Sequence, residues 1–230
     1  MIQFSEVNKR YAGGNEALAG VSFNIEHGEM VFLTGPSGAG KSTLLKLLAL
    51  IERPSRGQII VNGQNLGGIR RGQIPHYRRK VGVIFQDHKL LHDRSVFDNV
   101  ALPLIIAGVA HQDIPKRVSA ALELVGLAHK ERALPVMLST GEQQRVGIAR
   151  AVISRPPILI ADEPTGNLDP DLSFEVMQLF RRLNQVGITV LVASHDHTLI
   201  RRLGQRVLSL RAGRVVAPEL QGDAHAGRAR

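Results

Sequence analysis

Nine residues, GPSGAGKST, constrain this chain more than anything else in it. They stand between an apolar run, MVFLT, and a segment, STLLKLLALIE, whose apolar residues recur at helical spacing. A strand that turns through glycines into a helix can wrap consecutive backbone N–H groups around one anion, and the helix N-terminus adds favourable potential. Gly35, Pro36, Ser37, Gly38, Ala39 and Gly40 would form that wrap around a β-phosphate. Lys41 would reach the β- and γ-phosphates, and the Ser42 hydroxyl, with Thr43 beside it, would ligate Mg²⁺. A glycine-rich turn could match by chance, but the strand before and the helix after make binding of ATP or GTP the better reading.

The rest of the chain says what fold surrounds that loop. Two β-like runs, IQFSEV and GVSFNI, precede it, and GQIIVNG and KVGVIFQ read as further strands between turn signals. From about residue 87 to 150 the pattern turns helical, with VFDNVALPLIIAG, DIPKRVSAALELVGL and a helix after LSTGE. Strand signals return in PPILIADEP, ITVLVASHD and RVLSLRAGRVV, with LSFEVMQLFRRLNQVG as a helix between the first two. Strands alternating with helices predict an α/β fold whose parallel sheet is covered on both faces. The helical block interrupts that sheet and is expected to form a separate lobe. Residues 217–230 lack large apolar side chains apart from Leu220 and are expected to be a disordered tail.

ILIADEP supplies a second half for a nucleotide site, because an apolar strand ends in two adjacent carboxylates. Asp162 could hold the magnesium through water while Glu163 polarises the water that attacks the γ-phosphate. On its own the pair would read as the solvated end of a strand. Beside a phosphate loop it reads as chemistry.

With GPSGAGKS, Gln86 in IFQDH, LSTGEQQR, ILIADEP, GNLDP and His195 in VASHD all in order, the chain resembles the ABC ATPase family from residue 1 to about 216. That resemblance implies a P-loop NTPase core with an N-terminal antiparallel β subdomain and an inserted helical subdomain. The core would be residues 1–86 and 151–216, and the insert residues 87–150. It also implies that ATP is the nucleotide, with Mg²⁺. Tyr11 would stack on adenine, Gln86 would sense magnesium and link core to helical lobe, Asp169 would cross a dimer interface, and His195 would contact the γ-phosphate. Each has a plainer reading alone: an edge aromatic, a strand-end polar residue, a turn residue before Pro170, and a helix cap.

In that family the LSTGEQQR signature faces ATP held by a second subunit, which implies a homodimer on ATP binding. Ser139 and Glu142 have the S-x-x-E spacing of a capping box, which starts a helix and leaves N–H donors at its end. Thr140 stands where the family usually has glycine. It would be strained if its φ were positive and tolerable if negative, with Gly141 still allowing a close approach.

FQDHKLLHDRSVFDNVALPLIIAG, YAGGNEAL and GEQQRVGIARAV resemble the bacterial cell-division branch of the family, the FtsE type. That branch pairs with a membrane permease-like protein of the FtsX type and is linked to septal peptidoglycan hydrolysis. Lipoprotein-release and macrolide-export ATPases share much of this text and remain the alternative. The longest apolar run, Ala101 to Ala110, is broken by Pro103 and falls short of the roughly 20 residues of a spanning helix, so a separate membrane partner is implied, at the cytoplasmic face. No cysteine is present, which excludes disulfides and thiolate metal sites. The net charge of +9 would suit nucleic acid. DNA-associated relatives, however, insert a long coiled coil between phosphate loop and signature, and the segment between Lys41 and Leu138 carries no sustained heptads.

Overall fold

The computed structural model describes residues 1–166 and 168–216. The expected tail, 217–230, lies outside the described residues. In chain order the elements are β1 (Ile2–Arg10), β2 (Glu16–Ile25), β3 (Met30–Thr34), α1 (Lys41–Leu48), β4 (Arg56–Val61), β5 (Gln64–Asn65), α2 (Ile74–Arg78) and β6 (Val81–Ile84). There follow α3 (Val96–Ile106), α4 (Ile114–Leu124), α5 (Thr140–Val152), β7 (Ile158–Asp162), α6 (Pro170–Gln185), β8 (Thr189–Ala193), α7 (His197–Leu203), β9 (Arg206–Arg211) and β10 (Arg214–Val216). The short α2 and α7 have no counterpart in the sequence reading, and RVLSLRAGRVV is a hairpin of two strands.

The strands form two sheets. β2-β1-β4-β5 is antiparallel throughout, and β10-β9-β3-β8-β7-β6 is parallel except for β10 at its edge. Alternation along the central strands splits the apolar side chains between two cores. Met30, Phe32, Leu159, Ala161, Val190 and Val192 face one core, shared with α3, α4, α5, α6 and α7. Val31, Leu33, Ile158, Ile160, Leu191 and Ala193 face the other, shared with α1 and the antiparallel sheet. Because both faces are buried, these strands read as unbroken apolar runs rather than as alternating ones.

Candidate active site

Strand order builds the site. β3, β8, β7 and β6 are parallel neighbours in register, with Leu33 opposite Ala193, Asp162 opposite Ala193, and Ala161 opposite Ile84. Whatever follows them meets at one carboxyl edge, where open α/β sheets bind ligands. The glycine loop follows β3, Asp162 and Glu163 end β7, His195 follows β8, and Gln86 follows β6.

In the glycine loop Pro36, Ser37 and Gly38 form an exposed crest while Ala39 is buried below it. Gly40 caps α1 with φ 106°, and a Cβ there would sit 2.5 Å from the Ala17 carbonyl oxygen. Only glycine fits. With no side-chain cap on α1, the first-turn N–H groups at Lys41, Ser42 and Thr43 are left for a ligand. Lys41 folds back over the loop: its Nζ donates to the carbonyls of Gly35 (2.7 Å) and Pro36 (3.3 Å) and lies 3.7 Å from Glu163 Oε1. Tyr11 reaches the same helix, its hydroxyl 3.4 Å from Thr43 Oγ1, and Lys9 Nζ lies 4.8 Å from the centre of its ring.

Glu163 joins the cluster. Its N–H donates to the Ala193 carbonyl, and its φ of 49° is one that costs a side-chain-bearing residue about 1–3 kcal/mol. One carboxylate oxygen faces Lys41, and the other is 2.6 Å from His195 Nδ1. His195 is not a helix cap: Asp196 caps α7, and the imidazole is mostly exposed apart from its contact with Glu163. Asp169 does cap a helix, accepting from the Leu172 N–H at 2.9 Å at the start of α6. Gln86 is exposed in the loop after β6.

Asp162 fits a role beside a cation. Burial pushes its carboxyl above the ordinary aspartate range, aided by the Glu163 charge; a hydrogen bond from Ser42 and the charges of Lys41 and Lys46 oppose this. Its Oδ1 is buried without a hydrogen-bond partner among the described residues. A desolvated carboxylate with a free oxygen, next to an exposed serine hydroxyl, is a donor set that suits a water-rich Mg²⁺ site.

The signature residues are built elsewhere. Ser139 Oγ accepts from Glu142 N–H (3.3 Å), and Glu142 Oε2 accepts from Ser139 N–H (2.8 Å), completing the expected capping box. That bond from the Ser139 backbone, with Lys130 at 3.8 Å, holds the Glu142 carboxyl below its usual range. Thr140 is the first residue of α5, exposed and outside the positive-φ region, so no strain attaches to it. Gly141 is spoken for within the chain: a Cβ there would meet Leu172 Cδ2 at 2.5 Å, so its bare face lies against α6. Among the described residues no hydrogen bond or ion pair links Ser139, Gly141 or Glu142 to the glycine loop.

Two residues went unread in the sequence. Asn99 is fully buried in α3; its Oδ1 accepts from Leu91 N–H, and its Nδ2 donates to the carbonyls of Leu91, Arg94 and Ser95. Its signal was there, a lone amide on a helix that, apart from Asp98, is apolar. Arg150, near the end of α5, donates to the carbonyls of His88 and Lys89. Nothing in GIARAV announces that.

A family model described as ABC transporter matches residues 18–166. The chain belongs to the ABC transporter family. This ABC protein is 57% identical over 213 residues to the cell division ATP-binding protein FtsE of Escherichia coli (strain K12), across 93% of the chain and 96% of that protein. It is 47% identical over 223 residues to FtsE of Bacillus subtilis (strain 168), across 97% of the chain and 98% of that protein. The dimeric post-hydrolysis structure of the ATP-binding cassette MJ0796 bound to ADP and Pi matches it with a TM-score of 0.88 at 35% identity, covering 94% of this chain and 97% of that one. The chain is therefore an ABC-type ATP hydrolase of the FtsE branch, with the α/β architecture and N-terminal antiparallel sheet that the sequence led us to expect. Among the described residues no helix is long and apolar enough to cross a membrane.

Proposed function

We propose that this ABC ATPase is the energy-supplying subunit of a membrane complex, acting with a membrane protein of the FtsX type to couple ATP hydrolysis to septal peptidoglycan hydrolysis from the cytoplasmic face. The observation that carries the reading is Glu163, held between Lys41 and His195 at the strand edge beside the glycine loop, in a chain 57% identical to an FtsE. Residues 1–86 and 151–216 act as the core and residues 87–150 as the helical subdomain.

The loop from Gly35 to Thr43 binds the phosphates through its backbone N–H groups, Pro36 having none to give, and Lys41 exchanges the Gly35 and Pro36 carbonyls for the β- and γ-phosphates. Tyr11 offers its ring to adenine. Glu163 takes the proton of the attacking water while His195 orients that carboxylate and contacts the γ-phosphate. Ser42, Asp162 through water and Gln86 would hold Mg²⁺, which would supply neutralisation of the phosphate charge. Two chains pair head to tail on ATP, so that Ser139, Gly141 and Glu142 of one meet the nucleotide of the other, with Asp169 at the interface.

The membrane partner docks a short helix on the helical subdomain beside Gln86. Leu90 is buried while Leu91 is exposed, and Ile105 and Ile106 on α3 are also exposed, which leaves apolar surface on this lobe. Affinity purification of the full chain from membranes tests the assignment. A co-purifying membrane protein that is weakened by Leu91→Ser, with ATP binding intact, is the expected result. Recovery of nucleic acid alone would overturn it.

A further inference from the structure

Gln86 sits in a loop that needs to be held. Two residues beyond it, His88 (φ 57°) and Lys89 (φ 47°) are consecutive side-chain-bearing residues in left-handed backbone, a conformation that strains both. The imidazole does little to secure the turn, since His88 Nδ1 is buried without a hydrogen-bond partner among the described residues. The hold comes from α5. Arg150 Nη1 donates to the Lys89 carbonyl at 2.7 Å and Nη2 to the His88 carbonyl at 2.5 Å, a two-pronged grip on both strained residues.

Other contacts fix the same join. A Cβ at Gly82, on β6, would lie 2.6 Å from the Ala151 carbonyl oxygen, so the strand leading to Gln86 lies against the backbone of α5. Gly147, one turn before Arg150, faces the His88 carbonyl, where a Cβ would approach to 3.9 Å. No carboxylate pairs with Arg150 among the described residues, and burial lowers the pKa of its guanidinium. The other end of α5 is the Ser139–Glu142 capping box. Its 13 residues make a rod of about 20 Å at the usual rise.

We propose that Arg150 is a positioning residue that fastens the Gln86 loop to α5, so that Gln86 and the signature end move as one body. Resting on the head-to-tail reading above, this ties each chain's own ATP, at Gln86, to the ATP of the second copy, at Ser139. Ordering of the loop by one nucleotide then presents the signature to the other.

The test uses the full chain with wild type, Arg150→Lys and Arg150→Gln, measuring ATP binding by the monomer, ATP-driven dimerisation, turnover and thermal stability. Arg150→Gln should bind ATP as wild type does but lose about tenfold or more in both dimerisation and turnover well below its melting temperature, because small misplacements weigh heavily on positioned groups. Arg150→Lys, a single-point donor, should fall between the two. Wild-type turnover and dimerisation in folded Arg150→Gln overturns the proposal. Should Arg150→Gln fail to fold, His88→Gly with Lys89→Gly removes the strain, and Arg150→Gln in that background must fold and still lose turnover; if it keeps turnover, the proposal is overturned. A wild type that neither hydrolyses ATP nor dimerises would instead defeat the functional reading itself.

Discussion

The glycine loop and the signature loop are both helix N-termini, and they are built in opposite ways. α1 begins at Gly40, with φ 106° and no side chain to cap the turn, so its first donors stay open toward a site that already holds a lysine. α5 begins at Ser139 with a closed capping box, two donors taken and a carboxylate in its first turn. The first end attracts an anion by itself. The second is a finished helix start that needs no ligand within its own chain. On the function proposed above, the first end serves the nucleotide of its own chain and the second that of another copy.

The comparison is easiest to break at the chemistry. Glu163→Gln keeps the shape of the side chain and loses the base, so turnover should fall by ~10² to 10⁴ while ATP binding and ATP-driven dimerisation persist. Near-normal turnover would remove Glu163 from that role.

Giving α1 the cap that α5 has should be harmful. Gly40→Ser forces a side chain into left-handed backbone and against the Ala17 carbonyl, for about 2 kcal/mol or more, and should abolish ATP binding. Opening the cap of α5 with Ser139→Ala should cost only about 0.5–2 kcal/mol and leave monomer ATP binding untouched. Thermal melts and nucleotide titrations of the two variants distinguish the kinds of helix start. Equal loss of ATP binding in both would mean that the signature serves its own chain.

Asp162 sharpens the same contrast through pH. Its native carboxyl is raised above the aspartate range by burial, so over the interval between the ordinary and the raised value the folded chain holds more protons than the unfolded one, and stability falls as pH rises. Asp162→Asn should therefore raise the melting temperature of the nucleotide-free protein at neutral pH. That gain should disappear as pH drops through the ordinary aspartate range, and MgATP should stabilise the variant less than the parent. A neutral-pH melting temperature unchanged by the substitution would show that the carboxylate is not penalised in the fold.

The smallest effect belongs to Thr140. Helical and exposed, it stores no strain, so Thr140→Gly should lower stability by under about 1 kcal/mol through helix propensity and should not raise turnover. A faster enzyme would restore the idea that the threonine hinders the site.

Most of the fold was legible because its signals are local or periodic. The runs MVFLT, ILIAD and ITVLVA are short, largely apolar and bounded on at least one side by glycine or proline, which marks buried strands, and S-x-x-E predicted the capping box of α5 at its own position. What escaped was short or mediated by backbone. α7 spans only Thr198 and its neighbours from His197 to Leu203, too few for a periodicity, and the grips of Asn99 and Arg150 end on carbonyls that carry no residue identity. Gly141 read as a residue that allows a close approach, and nothing near it in the chain foretold that the space a side chain would need there is held by Leu172, 31 positions away.

The sequence by itself determined which residues could do chemistry, because a glycine loop, a pair of carboxylates and a capping box each depend on spacings of a few residues and on side-chain type. Only the tertiary structure decided that these parts meet. The order β3-β8-β7-β6 brings residues 41, 163 and 195 together, in a sheet whose faces are buried under α1 and the antiparallel strands on one side and the helices on the other. Burial of two faces is a property of the whole chain, and no stretch of a few residues contains it.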